Sequence, residues 1–234
     1  RDKGMWLEFR RVLFRSRNMK KLIIAISSLI VLGMSSAMSM DLRPSIGISA
    51  NMAAYAATGT ENNYNEAGTA VDTITQEHGA FKDEFGSIFV ELQFNDVISL
   101  GLDYVPTSIE TPTNTANKNE GNENSVSAEF EDLTTAYLKL NIPLGGLYAK
   151  VGYSQVDVVS IETNANSYGN DDTRGYVVGL GYNHELAEGV SIRAEVSATE
   201  FDDVKANNGQ TNLTEVKVKD MIGARGSISL VKSF

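Results

Sequence analysis

From residue 45 onward the chain keeps apolar side chains on every second position, and no other feature limits its fold as tightly. A spacing of two places those side chains on one face of a β-strand. Ile46, Ile48, Ala50, Met52 and Ala54 open the series over residues 45–55. Ile88, Val90, Leu92 and Phe94 follow over 85–94, then Ile98, Leu100, Leu102 and Tyr104 over 98–105. Further segments span 126–142, 147–159, 175–183, 190–205 and 215–234, with Leu138, Val151, Val178, Ile192 and Ile228 on the apolar parity. The pattern predicts eight strands and leaves no helical spacing to compete with them.

The connections narrow the choice of β fold. Tight ones at 95–97, 143–146 and 185–189 alternate with longer ones at 56–83, 106–125, 162–173 and around 207–212. In an up-and-down meander every second connection lies at the same end. One rim therefore carries turns and the other carries loops, the asymmetry of barrels that cross an outer membrane. An even strand count puts both ends of the sheet on the tight-turn rim.

An export signal agrees with that topology. Met19 is followed by Lys20 and Lys21, an apolar run over 22–32, and small residues at Ser35, Ala37 and Ser39. This is the layout of a signal peptide over 19–40, cleaved near 37–40, and its apolar run is too short for a spanning helix. The basic stretch 1–18 upstream of Met19 reads as non-native read-through, which leaves 41–234 as the exported domain.

Composition removes several chemistries. The chain has no cysteine, and its two histidines, His78 and His184, are far apart in sequence. Disulfides, thiolate metal sites and cysteine nucleophiles are excluded, and no metal-ligand spacing exists. The net charge of −10 becomes more negative once the basic leader is removed. Such a balance argues against nucleic acid and anionic membrane surfaces as direct partners.

Orientation then gives each outward aromatic an expected height. Tyr104 and Tyr153 come late in ascending strands and Tyr176 early in a descending one, so they belong near the outer rim. Phe94 and Tyr182 end descending strands near the periplasmic rim, as does Phe234. Two aromatic girdles result, which a membrane barrel requires and a soluble barrel does not. The opposite parity lines the interior. Its charged members are the acids Glu91, Asp103 and Glu195 and the bases Lys139, Lys150, Arg193 and Arg225. Side chains nearly fill an eight-stranded lumen, so this mixture predicts a salt-bridged plug.

Export signal, eight alternating segments, alternating connections, charged interior and terminal Phe234 together resemble the small outer-membrane β-barrel family typified by the OmpA barrel domain and OmpX. The resemblance implies an all-β fold, an eight-stranded antiparallel up-and-down transmembrane β-barrel, in the outer membrane of a Gram-negative-type bacterium. It also implies that the last strand carries a signal for the barrel-assembly machinery, with Phe234 at its terminal position and Ile228 and Leu230 at its apolar ones. Lys232 departs from that pattern, though a lysine at the interface can snorkel. The partners implied are outer-membrane lipids, lipopolysaccharide and the assembly machinery, with no nucleic acid and a monomeric state.

The functional expectation is a structural or surface-contact protein, not an enzyme, with no catalytic residue, cofactor or metal assigned. Two alternatives stand beside it: a small porin passing ions or small solutes, and a lipid-modifying enzyme or protease. The latter has one candidate, His78, near Glu77 and Asp83 in the first long connection. The acidic character of 56–84 and of Glu120, Glu123, Glu129, Glu131 and Asp132 is explained by solvation. Divalent-cation bridging to lipopolysaccharide is the sharper reading.

Overall fold

The computed structural model describes residues 42–65, 67–112, 114–118, 122–143, 145–162, 169–207 and 214–234. The expected leader at 19–40 and the stretch 1–18 lie outside the described residues. Eleven strands follow in order: β1 (Arg43–Tyr64), β2 (Val71–Gln93), β3 (Ile98–Tyr104), β4 (Ile109–Glu110), β5 (Asn114–Lys118), β6 (Asn122–Asn141), β7 (Leu147–Glu162), β8 (Asn170–Ala187), β9 (Val190–Phe201), β10 (Val204–Asn207) and β11 (Thr214–Ser233).

Eight of them, β1, β2, β3, β6, β7, β8, β9 and β11, form an antiparallel ring closed by β11 against β1. That closing ladder runs from Ser45 opposite Ser233 to Asn63 opposite Thr214. β4 and β5 continue the lane of β3 along β6, and β10 lies against the upper part of β11. Closure leaves the spanning part of the sheet without an edge. At the tight rim, Gly145 and Gly146 both take positive φ, 61° and 94°, between β6 and β7.

The strands outrun their apolar pattern. The connection expected over 56–83 is mostly strand, because β1 continues to Tyr64 and β2 begins at Val71. Asn65 makes the turn between them, its Oδ1 accepting the Thr69 N–H at 2.9 Å. Above the membrane belt both faces of this hairpin meet water, so hydrophobic alternation fades while backbone pairing persists. For the same reason the connection expected over 106–125 contains β4 and β5. The strand expected over 190–205 breaks at Asp202 and Asp203.

Parity separates outside from inside. Val178 and Leu180 are 58% and 60% exposed on the outer wall, whereas Glu91 and Arg193 are 2% and 5% exposed within. Val90 and Leu92 share the outward parity but are covered, flanked by Ile46 and Leu102 and by Pro44 and Leu100.

The interior has two layers. Charged and polar side chains fill the periplasmic half. Above them lies an apolar cluster of Ala53, Phe85, Val105, Ile109, Leu133, Val156, Phe201, Val204 and Met221. Tyr55, Phe81 and Phe130 stack against it, with ring centroids 5.2 Å (Tyr55–Phe81) and 6.1 Å (Phe81–Phe130) apart.

Candidate functional site: a charge-paired lumen

The seven interior charges converge in three linked clusters. Glu91 on β2 receives Lys139 Nζ at 2.6 Å, both terminal nitrogens of Arg193 at 2.6 and 2.9 Å, and the Tyr137 hydroxyl at 2.8 Å. Glu195 on β9 accepts the Tyr148 hydroxyl at 2.7 Å and a short ammonium contact from Lys150. Asp103 on β3 takes two nitrogens of Arg225 at 3.0 and 3.2 Å and the Ser87 hydroxyl at 2.9 Å. Arg225 Nε also donates to Asn51 Oδ1 at 2.9 Å, and Asn51 in turn donates to Ser87.

Four bases share three carboxylates, and the surplus falls on Glu91, which serves both Lys139 and Arg193. Aromatic faces take up what carboxylates do not. The Arg193 guanidinium lies 5.0 Å from the Phe89 ring centroid and 5.3 Å from that of Tyr148, and Lys150 Nζ lies 5.0 Å from that of Tyr137. A desolvated cation over a ring gains attraction from the ring's negative face. Among the described residues only Ser99 Oγ and Arg193 Nε are buried without a hydrogen-bond partner. Between the charge layer and the apolar layer a void of about 20 Å³ remains, lined in part by Thr135, Lys150, Ser154, Ser197 and Thr199.

The inward charges alone do not reveal the upper layer. Its signal was present: Phe81, Phe85 and Phe89 share the inward parity of Ser87 and Glu91.

On the outer wall Tyr153 and Tyr176 are cross-strand neighbours in an edge-to-face pair with centroids 5.3 Å apart. Tyr176 and Tyr182 are exposed and Phe94 is half-buried. Tyr104 corrects the expected girdle, being only 4% exposed. β6 bulges between Glu131 and Thr134, Asp132 takes a φ of 54°, and the Tyr104 hydroxyl donates to its carboxylate at 2.5 Å. Tyr104 is therefore a covered anchor of the bulge and not part of an exposed ring.

At the closing strand Ile228 and Leu230 face outward and Phe234 is 74% exposed. The Phe234 N–H donates to Pro44 O at 3.0 Å, tying the end of the sheet to its start. Lys232 reaches the carbonyl of Glu188 in the β8–β9 turn at 3.5 Å.

His78 lies on β2 and not in a loop, exposed, its Nδ1 sharing a hydrogen bond of 3.0 Å with Thr58 Oγ1. Among the described residues no cluster of His, Asp and Glu is arranged to hold a metal ion. Glu131, Asp157 and Asp172 form a cross-strand acidic row beyond the aromatic pair. Burial first, then neighbouring carboxylates, hold Glu131 and Asp157 above the usual carboxylate range.

A closed antiparallel ring with an apolar outer belt and paired charges within is the architecture of a transmembrane β-barrel. The family model for the outer membrane protein beta-barrel domain matches residues 27–214. The chain belongs to that family, and the protein is an outer-membrane protein of a Gram-negative-type bacterium. Among solved structures it resembles the outer membrane protein OprG from Pseudomonas aeruginosa, at 15% identity, with 81% of this chain and 95% of that one covered and a TM-score of 0.52. Neisserial surface protein A is similar at 13% identity over 79% of this chain and 97% of that one, with a TM-score of 0.38. The outer membrane protease OmpT from Escherichia coli is similar at 8% identity over 86% and 100%, with a TM-score of 0.44. The likeness to OprG bears on the fold alone, and nothing is argued from the other two. Comparison with curated protein sequences finds no match.

Proposed function

We propose that the barrel is closed to solutes, is not an enzyme, and acts as a structural and surface-contact protein of the outer membrane. The observation that carries this reading is the doubly filled lumen, with Glu91, Asp103 and Glu195 each engaged by a base and an apolar layer stacked above. Breaking such a network strands buried charge, so it opposes spontaneous opening. The contact surface is the sheet that β1, β2, β10 and β11 raise beyond the apolar belt, where the upper part of β2 is exposed on both faces. Outer-membrane lipids surround the belt, and the assembly machinery reads the last strand through Ile228, Leu230 and Phe234. What supports the non-enzymatic reading is that Glu91, Asp103 and Glu195 are taken up in ion pairs and that His78 shares its hydrogen bond with Thr58.

Planar-bilayer recording of the refolded protein tests the reading. We expect rare, brief events at most, and a steady open-channel current would overturn the closed-lumen assignment in favour of a small porin. Loss of a lipid A or peptide modification on His78→Ala would overturn the non-enzymatic one.

A further inference from the structure

Two rows of hydrogen-bond donors cross the outer face of β10, β11, β1 and β2. In the lower row Lys219 faces Thr58, and Thr58 faces His78. In the upper row Lys205 faces Lys217, Lys217 faces Thr60, and Thr60 faces Gln76. Their direction follows from the residues between them. Val204 and Val218, directly opposed, pack on the inner apolar cluster, so by alternation Lys205, Lys217 and Lys219 point outward. No carboxylate interrupts either row, and Glu215 and Asp220 bracket them in sequence.

The height of the rows is set from below. On β11, β1 and β2 the next outward row toward the membrane is apolar, with Ile222 facing Ala56 and Ala56 facing Ala80, and on β9 it continues as the exposed Glu200. Beneath Ile222 the outward column of β11 continues as Ala224, Gly226, Ile228 and Leu230 into the lipid belt. On β1 and β11 the donors therefore occupy the first polar level above the acyl chains, whereas the outward column of β2 is already polar at Lys82 and Glu84.

Lys205 and Lys217 stand directly opposite each other, and like charges in that position destabilise a sheet. Glu215 relieves Lys217 at 2.5 Å, while among the described residues Lys205 and Lys219 make no ion pair. In an overall acidic chain, one wall thus carries two lysines without an ion pair among the described residues, Lys219 in the lower row and Lys205 in the upper.

We propose that this face binds phosphate carried on the head group of an outer-leaflet lipid. Phosphate oxygens accept from ammonium and hydroxyl donors together, and lipid-borne phosphate stands at this height by construction of the bilayer. The assignment rests on the membrane orientation and is independent of whether the lumen conducts.

The test uses the full folded barrel in phosphatidylcholine vesicles doped with bis-phosphorylated lipid A. Binding of the labelled lipid is compared for the unaltered protein, for K205S/K219S and for a K232S control at the opposite, tight-turn rim. Each row lysine removed is expected to weaken binding about fivefold, with the control unchanged. Equal binding by K205S/K219S overturns the proposal, as does equal binding of the dephosphorylated glycolipid. Full displacement by millimolar inorganic phosphate would mark a soluble-phosphate site and overturn the lipid assignment. The K205S single variant, which removes the Lys205–Lys217 like-charge neighbours, separates folding from binding. In phosphate-free vesicles K205S is expected to resist heat at least as well as the unaltered protein, and in doped vesicles less well. A loss of stability in both would make Lys205 structural and reject the site.

Discussion

Inside the barrel four glycines each face an aromatic ring across a strand pair: Gly47 and Phe89, Gly101 and Tyr137, Gly181 and Tyr148, Gly223 and Tyr55. A Cβ built on any of the four would run into that ring. The narrow lumen holds large side chains because their cross-strand neighbours have none. Gly181→Ala is therefore expected to push Tyr148 off Glu195 and destabilise the barrel by about 1–3 kcal/mol, read from its denaturant midpoint. A midpoint equal to that of the unaltered protein would show that the ring moves freely. The acidic row gives a prediction of opposite sign. Glu131 has a raised folded-state pKa, so its ionised form is the one the fold disfavours. Stability on this account increases as pH falls through that raised value, and the gain is complete below the ordinary carboxyl range of about 4. Glu131→Gln should thus be more stable than the unaltered protein at neutral pH, with the advantage shrinking on acidification. A difference independent of pH would reject the electrostatic cause. Parity in the sequence identifies which charges point inward, but not who meets whom. Arg193 finds Glu91 across the lumen, and that encounter depends on barrel register, which no local pattern encodes.

At the scale of strands, what sequence reveals ends where the membrane ends. Within the belt one face meets lipid and the other a packed lumen, so each strand alternates and its turns are visible. Beyond the belt the stretch from Val71 to Glu84 mixes polar residues on both faces, and nothing in its composition separates a long hairpin from a loop. Tyr104 fails for a related reason, because the β6 bulge that covers it is a backbone event without a distinctive residue. The belt itself gives a direct test of orientation. Val178 on β8 faces lipid, so Val178→Arg should cost about 2–4 kcal/mol near the bilayer midplane when measured by reversible unfolding from vesicles. A cost near zero would mean that the outward wall is not in contact with acyl chains. The closing strand adds a kinetic test. Deleting Phe234 removes the Pro44 hydrogen bond and the exposed terminal ring together, and is expected to lower the yield of heat-modifiable, assembled barrel in cells. Unchanged yield would remove Phe234 from the assembly signal.

Across the whole molecule the lumen is closed twice, and the two closures differ in kind. The lower one is electrostatic and centred on Glu91, Glu195 and Asp103. The upper one is apolar and held by the stacked rings of Tyr55, Phe81 and Phe130. Seals in series fail independently, which separates this arrangement from a lumen gated by one ion pair. Glu91→Gln strands Lys139 and Arg193 and is expected to cost about 3–5 kcal/mol, the penalty for leaving buried charge uncompensated. Adding Lys139→Met should return part of that loss, because one of the two stranded cations is then gone. Yet Glu91→Gln alone should not conduct steadily, since water and ions that enter the charge layer still meet the apolar one. Phe81→Ala with Phe130→Ala should also stay closed, because the ion-paired layer remains. Only the combination of all three substitutions is expected to give sustained current in a planar bilayer, in protein whose heat-modifiable gel shift verifies that it is folded. Steady current from Glu91→Gln alone would mean that the upper cluster is permeable and that the charge network is the barrel's single barrier.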